Sequence, residues 1–149
     1  IEELLRVCQV EVPPDLGKEL MLSWEEIKEM NEKGIEFAAH TATHPELTNI
    51  PMEEAREEIE SSKREIEKRL GKPVISFAYP SGIYNDEVVE LVRKAGFLCA
   101  VTTKIEEIKP WSNPYKLGRV IGIDEDFFRF KAIVSGIYHR VNTCWGLIR

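Results

Sequence analysis

Helical and strand-like patterns alternate along the central part of the chain, and this alternation limits the possible folds more than any other feature. Helical patterns cover residues 23–33, 51–70 and 85–95, and short apolar segments cover residues 35–39, 74–79 and 97–103. Such alternation predicts parallel strands joined by right-handed crossovers, in either an open sheet or part of a barrel. In both architectures functional residues lie at the carboxyl ends of the strands. The sequence therefore predicts an α/β protein with its site at that end.

The predicted helices have recognisable ends and faces. Ser23 and Glu26 have the spacing of a capping box, and Gly34 and Gly96 stand where a glycine commonly ends a helix. In the longest helix apolar residues recur every three or four positions, as one buried stripe requires. These residues are Met52, Ala55, Ile59, Ile66 and Leu70. We interpret the charged residues of this helix as a solvated face.

The apolar segments predict strands, and the one at residues 35–39 has so little polar content that it predicts a strand covered on both faces, as in a parallel sheet. Cys99 in the third segment is interpreted as a small buried hydrophobic residue. Residues 117–123 predict a further strand, and residues 124–149 show no clear period. With 149 residues, 43% of them hydrophobic, the chain is long enough for one core, so residues 1–149 are treated as a single domain.

Composition excludes several classes of function. The net charge of -6 and the lack of a Lys/Arg cluster argue against nucleic acid as a partner. The longest apolar runs, such as residues 97–101, are far too short to cross a bilayer, so no transmembrane segment is predicted. Three widely spaced cysteines predict neither a disulfide framework nor a Cys-x-x-Cys metal site. The compartment stays open, because the chain begins at Ile1 and we expect further sequence upstream.

Two turns at the ends of predicted strands carry the candidate site. His40 directly follows the first strand and His44 lies four residues later, and neutral imidazole is the commonest protein ligand for zinc. Taken alone, two histidines at this spacing are more often surface loop residues. The sequence Tyr79-Pro80-Ser81-Gly82 follows the second strand, and alone it would be an ordinary turn. Because both turns follow neighbouring strands, we expect them to meet at one mouth.

Residues 21–124 resemble the polysaccharide deacetylase family, the chitooligosaccharide-deacetylase-like carbohydrate esterases. The resemblance rests on a His-Thr-x-x-His turn at residues 40–44 and a Phe-Ala-Tyr-Pro-x-Gly turn at residues 77–82. It implies a distorted (β/α) barrel and a divalent metal, often zinc, held by His40, His44 and an aspartate. It also implies hydrolysis of the acetamide of an N-acetylated glycan, which releases acetate and leaves an amine.

The resemblance assigns roles to further residues. The backbone N–H of Ser81 would stabilise the oxyanion, so Tyr79 and Ser81 are predicted catalytic residues, and Pro80 and Gly82 are predicted to contact substrate. Arg119 would brace the catalytic base, and its alternative interpretation is a surface charge at a strand end. His139 is a candidate for the general acid, against the simpler interpretation of a solvent-exposed histidine.

The chain also departs from the family pattern. The Thr-Phe-Asp-Asp-Gly strand that supplies the base and the third metal ligand does not occur in the 149 residues, so we expect it upstream of Ile1. A partial domain without its N-terminal strands would leave an open sheet edge beside the strand that ends at His40. We expect residues 1–18 to cover that edge, a second copy to pair with it, or the edge to be disordered.

Three hypotheses remain open at this point. The chain is part of a metal-dependent N-deacetylase, a non-catalytic module that binds carbohydrate or metal, or a structural or oligomeric remnant. An Asp-Asp-Gly sequence upstream of Ile1 would favour the enzyme.

Overall fold

The computed structural model of the chain describes residues 7–9, 20–119 and 127–135. Its elements are, in chain order, α1 (Trp24–Glu32), α2 (Met52–Leu70), β1 (Ser76–Ala78), a 3₁₀ turn (Pro80–Gly82), α3 (Asp86–Lys94), β2 (Cys99–Val101) and α4 (Phe127–Val134). Among these helices we find none long and apolar enough to cross a membrane. The predicted strand residues 120–123 and His139 lie outside the described residues.

The sheet is parallel, as the alternating pattern predicted. β1 pairs with β2, with Phe77 opposite Ala100. On the outer side of β1 Ala39 forms a parallel bridge to Phe77, and on the outer side of β2 Leu117 forms a parallel bridge to Val101. Four chain segments therefore run side by side in the same direction, which confirms an α/β fold. Within the described residues no pairing closes these segments into a barrel.

The first predicted strand is shorter and more exposed than the sequence suggested. Of residues 35–39 only Ala39 is buried, and Ile35 is 48% exposed. The N–H of Ala39 donates to the Ser76 carbonyl (3.1 Å) and its carbonyl accepts from the Ala78 N–H (2.9 Å). The exposure of this segment shows that the prediction of two covered faces is wrong, and in the described part of the chain it pairs with β1 on one side only. Cys99 is likewise only half-buried.

The core lies between the sheet and the two helices α2 and α3. Phe77 of β1 is fully buried, and its ring centroid lies 5.3 Å from that of Phe97. Ala55 and Ile59 of the predicted α2 stripe are fully buried, as are Val88 and Val92 of α3. The apolar stripe of α2 is therefore confirmed as its core face.

The helix ends are fixed by side-chain caps and by left-handed glycines, and the predicted capping box and the predicted helix-ending Gly34 and Gly96 are confirmed. Ser23 Oγ accepts from the Glu26 N–H (3.2 Å), and the Glu26 carboxylate accepts from the Ser23 N–H (2.7 Å), which completes the capping box. Gly71 ends α2 in the left-handed conformation, with φ 65°. Asn85 Oδ1 accepts from the Val88 N–H (2.8 Å) at the start of α3.

The charged side of α2 is not a simple solvated face, and that interpretation is wrong for three residues. Lys63 Nζ donates to the carbonyls of Ala95 (3.0 Å) and Gly96 (2.9 Å), which follow α3. Glu67 Oε1 accepts from the Val74 N–H (2.9 Å) before β1. Glu58 binds the turn that contains the histidines, as described below. These side chains fasten α2 to the loops around it.

Candidate active site

The ends of the four parallel segments lie at one edge of the sheet and are linked by hydrogen bonds. His40 Nδ1 lies 2.7 Å from the Ala78 carbonyl oxygen, which joins the first segment to the end of β1. Thr103 Oγ1 donates to the Ser81 carbonyl (3.4 Å), so the turn that follows β1 contacts the segment that follows β2. The prediction that the two candidate turns are neighbours is confirmed.

His40 is held with one ring nitrogen available. A carbonyl oxygen can only accept a hydrogen bond, so the contact with Ala78 requires the proton of His40 to be on Nδ1. The lone pair of the neutral ring is then on Nε2. A backbone carbonyl that fixes the tautomer in this way is a usual partner of metal-binding histidines.

His44 lies directly beside His40. The two ring centroids are 4.8 Å apart, the ring planes are inclined at 74°, and both residues are exposed. The structure thus brings together the two residues predicted to bind metal, and it places neither in the core.

The turn that carries the histidines, residues 40–44, is strained and tightly bonded. Thr41 and His44 have positive φ values of 65° and 64°, a conformation that is unfavourable for a β-branched residue such as threonine. Thr41 Oγ1 accepts from the His44 N–H (3.0 Å). Glu58 of α2 accepts from the N–H groups of Ala42 (2.8 Å) and Thr43 (2.9 Å) and from the Thr43 hydroxyl (2.7 Å).

These hydrogen bonds also act on the charge of Glu58. Partial burial alone would raise the pKa of its carboxyl group, but the bonds from Thr43 and Ala42 favour the carboxylate and lower the pKa below the ordinary glutamate value. The turn is therefore bound to a carboxylate rather than to a neutral acid at neutral pH.

The second turn, residues 79–82, is held by packing. Tyr79 and Pro80 are buried, and the Tyr79 hydroxyl donates to the Tyr115 carbonyl (3.0 Å). Burial and the neighbouring tyrosines raise the pKa of Tyr79, so its hydroxyl stays neutral. Gly82 has φ 69°, and a Cβ atom there would overlap the side chain and backbone of Thr103. The Tyr79 side chain is therefore part of the core, and the turn offers its backbone.

Ser81 is the exposed member of this turn. Its φ of 56° is in the left-handed region, and its carbonyl accepts from Thr103. The N–H groups of Gly82 and Ile83 donate within the turn to Tyr79 and Pro80 (2.9 and 3.1 Å). Within the described residues the Ser81 N–H has no hydrogen-bond acceptor, so it is a donor available to a ligand.

Arg119 lies at the same edge but beyond β2. Its Nε donates to the Thr102 carbonyl (2.7 Å) and its N–H to the Lys104 carbonyl (2.8 Å). β1 and β2 separate it from the first segment, and no carboxylate of the described residues forms an ion pair with it. The structure places Arg119 at the mouth without bringing it to the histidines.

The side chains at this edge of the sheet that could bind a metal form only part of a metal site. Two exposed imidazoles with one fixed tautomer suit zinc and similar ions. Within residues 7–9, 20–119 and 127–135 no group of three His, Cys, Asp or Glu residues converges on a point. The described residues therefore fit two ligands of a metal ion, and a further ligand must come from elsewhere.

The sequence reasoning missed Glu58. The signal was available, because Glu58 lies three residues after Ala55 and four before Ser62, and both of those residues are buried. A carboxylate in the buried rows of a helix is seldom left without partners. Its partners are the turn of the two histidines.

Comparison with known proteins agrees with this geometry. The polysaccharide deacetylase family model matches residues 11–100, more than half of the chain. YxkH of Bacillus subtilis (strain 168) is 30% identical over 105 residues, which are 70% of this chain and 38% of that protein. The poly-β-1,6-N-acetyl-D-glucosamine N-deacetylase of Staphylococcus aureus (strain MRSA252) is 28% identical over 116 residues, which are 72% of this chain and 40% of that protein.

Solved structures give the same result. The Streptococcus pyogenes deacetylase PplD, in complex with acetate, superposes with a TM-score of 0.64 at 31% identity over 66% of this chain and 43% of that chain. A polysaccharide deacetylase from Bacillus cereus gives a TM-score of 0.60 at 40% identity over 66% of this chain and 31% of that chain. The chain spans about two-fifths of the length of these curated relatives. By the extent of the family match, the chain belongs to the polysaccharide deacetylase family.

Proposed function

We propose that this chain carries the histidine ligands and the oxyanion-binding turn of a metal-dependent hydrolase that removes N-acetyl groups from an N-acetylated polysaccharide or oligosaccharide. One observation carries the proposal. The hydrogen bond from His40 to Ala78 leaves Nε2 of His40 free beside the exposed ring of His44, next to the turn of residues 79–82. We propose the distorted (β/α) barrel of the family as the complete fold.

In this proposal His40 and His44 would hold a divalent metal. We propose zinc, because neutral imidazoles suit this ion. When bound, such an ion lowers the pKa of a water molecule and polarises a carbonyl oxygen, which an unreactive amide requires. The chemistry also needs a carboxylate as a third ligand and a base. Neither is present in the described residues, so both must come from outside them.

The residues of this chain perform the remaining tasks. The Ser81 N–H is a fixed donor for the oxygen on which negative charge develops, and a preorganised backbone donor of this kind stabilises a tetrahedral intermediate. Pro80 and Gly82 shape the backbone that presents it. Pro80 is fully buried, so the predicted substrate contact is left to the half-buried Gly82. Tyr79 anchors the turn in the core. Arg119 would position the base, because its guanidinium is fixed to the Thr102 carbonyl at the same edge.

The substrate class follows from the relatives. The Staphylococcus aureus relative is named for N-deacetylation of poly-β-1,6-N-acetyl-D-glucosamine. The turn of residues 79–82 and the histidines would flank an acetamide group on such a glycan. We therefore propose N-acetylglucosamine polymers as the first substrates to test.

A second candidate function is a non-catalytic module that binds carbohydrate or metal. It is favoured by the observation that no third ligand joins the two histidines within the described residues. Such a module would bind an ion or a glycan weakly and would release no acetate.

One assay separates the two candidates. The protein is expressed from its complete gene, loaded with zinc, and incubated with fragments of chitin, peptidoglycan and poly-N-acetylglucosamine, while a chelated sample serves as the control. We expect acetate release from at least one substrate in the metal-loaded sample only. Equal acetate release with and without chelator would contradict the metal dependence, and no release from any substrate would favour the binding module.

A further inference from the structure

Glu58 is the side chain that connects α2 to the turn of residues 40–44. Its two carboxylate oxygens accept three hydrogen bonds, from the N–H groups of Ala42 and Thr43 and from the Thr43 hydroxyl, at 2.7 to 2.9 Å. All three donors belong to residues that lie between the two histidines in the sequence. Glu58 contacts neither imidazole, so any effect on the histidines must pass through the turn.

The conformation of the turn needs such a support. Positive φ values at Thr41 and His44 cost about 1–3 kcal/mol each and persist only where surrounding contacts enforce them. The Thr41 hydroxyl binds the His44 N–H, and Glu58 binds the two N–H groups between these residues. Together these bonds satisfy three consecutive backbone donors of the turn.

The α2 helix is a rigid base for this support. Ala55 and Ile59 on either side of Glu58 are fully buried, so the backbone that carries the carboxylate is fixed in the core. His40 is fixed from the opposite side by the Ala78 carbonyl. One histidine is thus oriented by β1, and the other depends on the turn that Glu58 holds.

We propose that Glu58 is a positioning residue that sets the geometry of the His40–His44 pair and thereby the affinity for the divalent metal. This inference rests on the proposed function. Loss of partners that orient metal ligands typically weakens metal binding by roughly 10- to 100-fold. Glu58 is expected to have an effect in this range although it lies outside the ligand shell.

The test is a metal titration of the protein expressed from its complete gene. Zn²⁺ binding is measured by calorimetry and Co²⁺ binding by its visible absorption, for the wild type, Glu58→Ala and Glu58→Gln. Glu57→Ala is the matched control, because Glu57 is the preceding residue, its side chain is 68% exposed, and among the described residues it pairs only with Arg64 on the helix surface. Acetate release is measured at limiting and at saturating metal.

Glu58→Ala should raise the Kd for metal by about 10-fold or more, since it removes both oxygens that accept the three hydrogen bonds of the turn. Glu58→Gln should restore part of the affinity, because its amide oxygen can accept from both backbone N–H groups without the charge. Glu57→Ala should leave the Kd unchanged. Turnover by Glu58→Ala should recover at saturating metal, which a general loss of structure would not allow.

The outcomes are distinguishable. A wild type that binds no metal, or releases no acetate, would overturn the proposed function. A wild type that does both, with Glu58→Ala and Glu57→Ala equal in Kd, would overturn the role of Glu58 alone. If Glu58→Ala does not fold, Thr43→Val and Glu58→Gln decide the question. Each should weaken metal binding relative to the control, and unchanged affinity in both would overturn the inference.

Discussion

Two neighbouring turns at the same edge of the sheet are stabilised in different ways. The turn of residues 40–44 keeps both histidines exposed and is held by hydrogen bonds to Glu58 and to Thr41. The turn of residues 79–82 has a buried Tyr79 and Pro80 and a glycine that contacts Thr103 closely. One turn therefore presents side chains on a polar support, and the other presents backbone on a packed one.

Because the two turns are supported differently, we expect them to respond differently to mutation. Three of the four non-glycine residues with positive φ in the described part of the chain lie in these two turns, so both store strain. In the first turn the imidazoles take part in only one of the supporting hydrogen bonds described above, from His40 to Ala78, so function can be lost with little loss of stability. In the second turn the support is the core, so stability should fall first.

The largest expected effect concerns the histidines. His40→Ala or His44→Ala should reduce acetate release by the protein expressed from its complete gene to the level of a chelated wild type, because a metal ligand is lost. Stability should change little. His40→Ala loses one hydrogen bond, worth about 1 kcal/mol. Denaturant unfolding and acetate assays on the same samples test this. Full activity in either variant would contradict the assignment of these two histidines as metal ligands.

The next effect concerns Gly82. Gly82→Ala places a Cβ on Thr103 at φ 69°, so strain and overpacking should together lower the free energy of unfolding by about 3 kcal/mol. Gly71→Ala is the control, because Gly71 has nearly the same φ, 65°, with nothing within 4 Å of the added Cβ. It should cost about 1 kcal/mol. Equal losses in chemical denaturation would mean that packing does not hold the second turn.

The structural features that could be predicted from the sequence depend on residues that are close to each other in the chain. The capping box at Ser23 and the glycines that follow α1 and α3, Gly34 and Gly96, depend on residues within four positions of each other, and the structure contains all three. The turn residues of the two candidate motifs were likewise identified from their own sequence. Local patterns were sufficient wherever the partners were near in the chain.

What the sequence could not predict depends on distant partners. The segment of residues 35–39 is apolar enough for a strand, but only Ala39 has a neighbouring strand to pair with among the described residues. The charges of α2 have helical surface spacing, but Glu58, Lys63 and Glu67 bind loops up to 33 residues away. The period of α2 identifies its apolar core face, but these loops decide which of its charged residues are left in solvent.

A smaller effect concerns the hydroxyl of Tyr79. Tyr79→Phe removes the donor to the Tyr115 carbonyl within the core, which should cost about 1 kcal/mol of stability and leave acetate release nearly unchanged. Tyr84→Phe is the control, because no hydrogen bond of the Tyr84 hydroxyl is present among the described residues. A large loss of turnover in Tyr79→Phe at unchanged stability would instead assign the hydroxyl a direct catalytic role.

The smallest expected effect is a pH dependence confined to the first turn. The pKa of Glu58 is lowered in the folded protein, because hydrogen bonds from Thr43 and Ala42 outweigh its desolvation. Its contribution to stability is therefore fully present above the ordinary glutamate value of 4.5, and it is lost as the pH falls through the lower folded pKa. Acid should weaken the bonds of the Ala42 and Thr43 N–H groups to Glu58.

Amide hydrogen exchange can measure the pH dependence of each of the two turns separately. In the metal-free wild type, protection of the Ala42 and Thr43 amides should fall below pH 4.5, whereas protection of the Gly82 and Ile83 amides, which donate to backbone carbonyls, should not follow the same titration. Glu58→Gln should remove the pH dependence at Ala42 and Thr43, and Glu57→Gln should keep it. If both turns lose protection together, they open as one unit, and the distinction between a polar and a packed support would not describe how this edge of the sheet responds to acid.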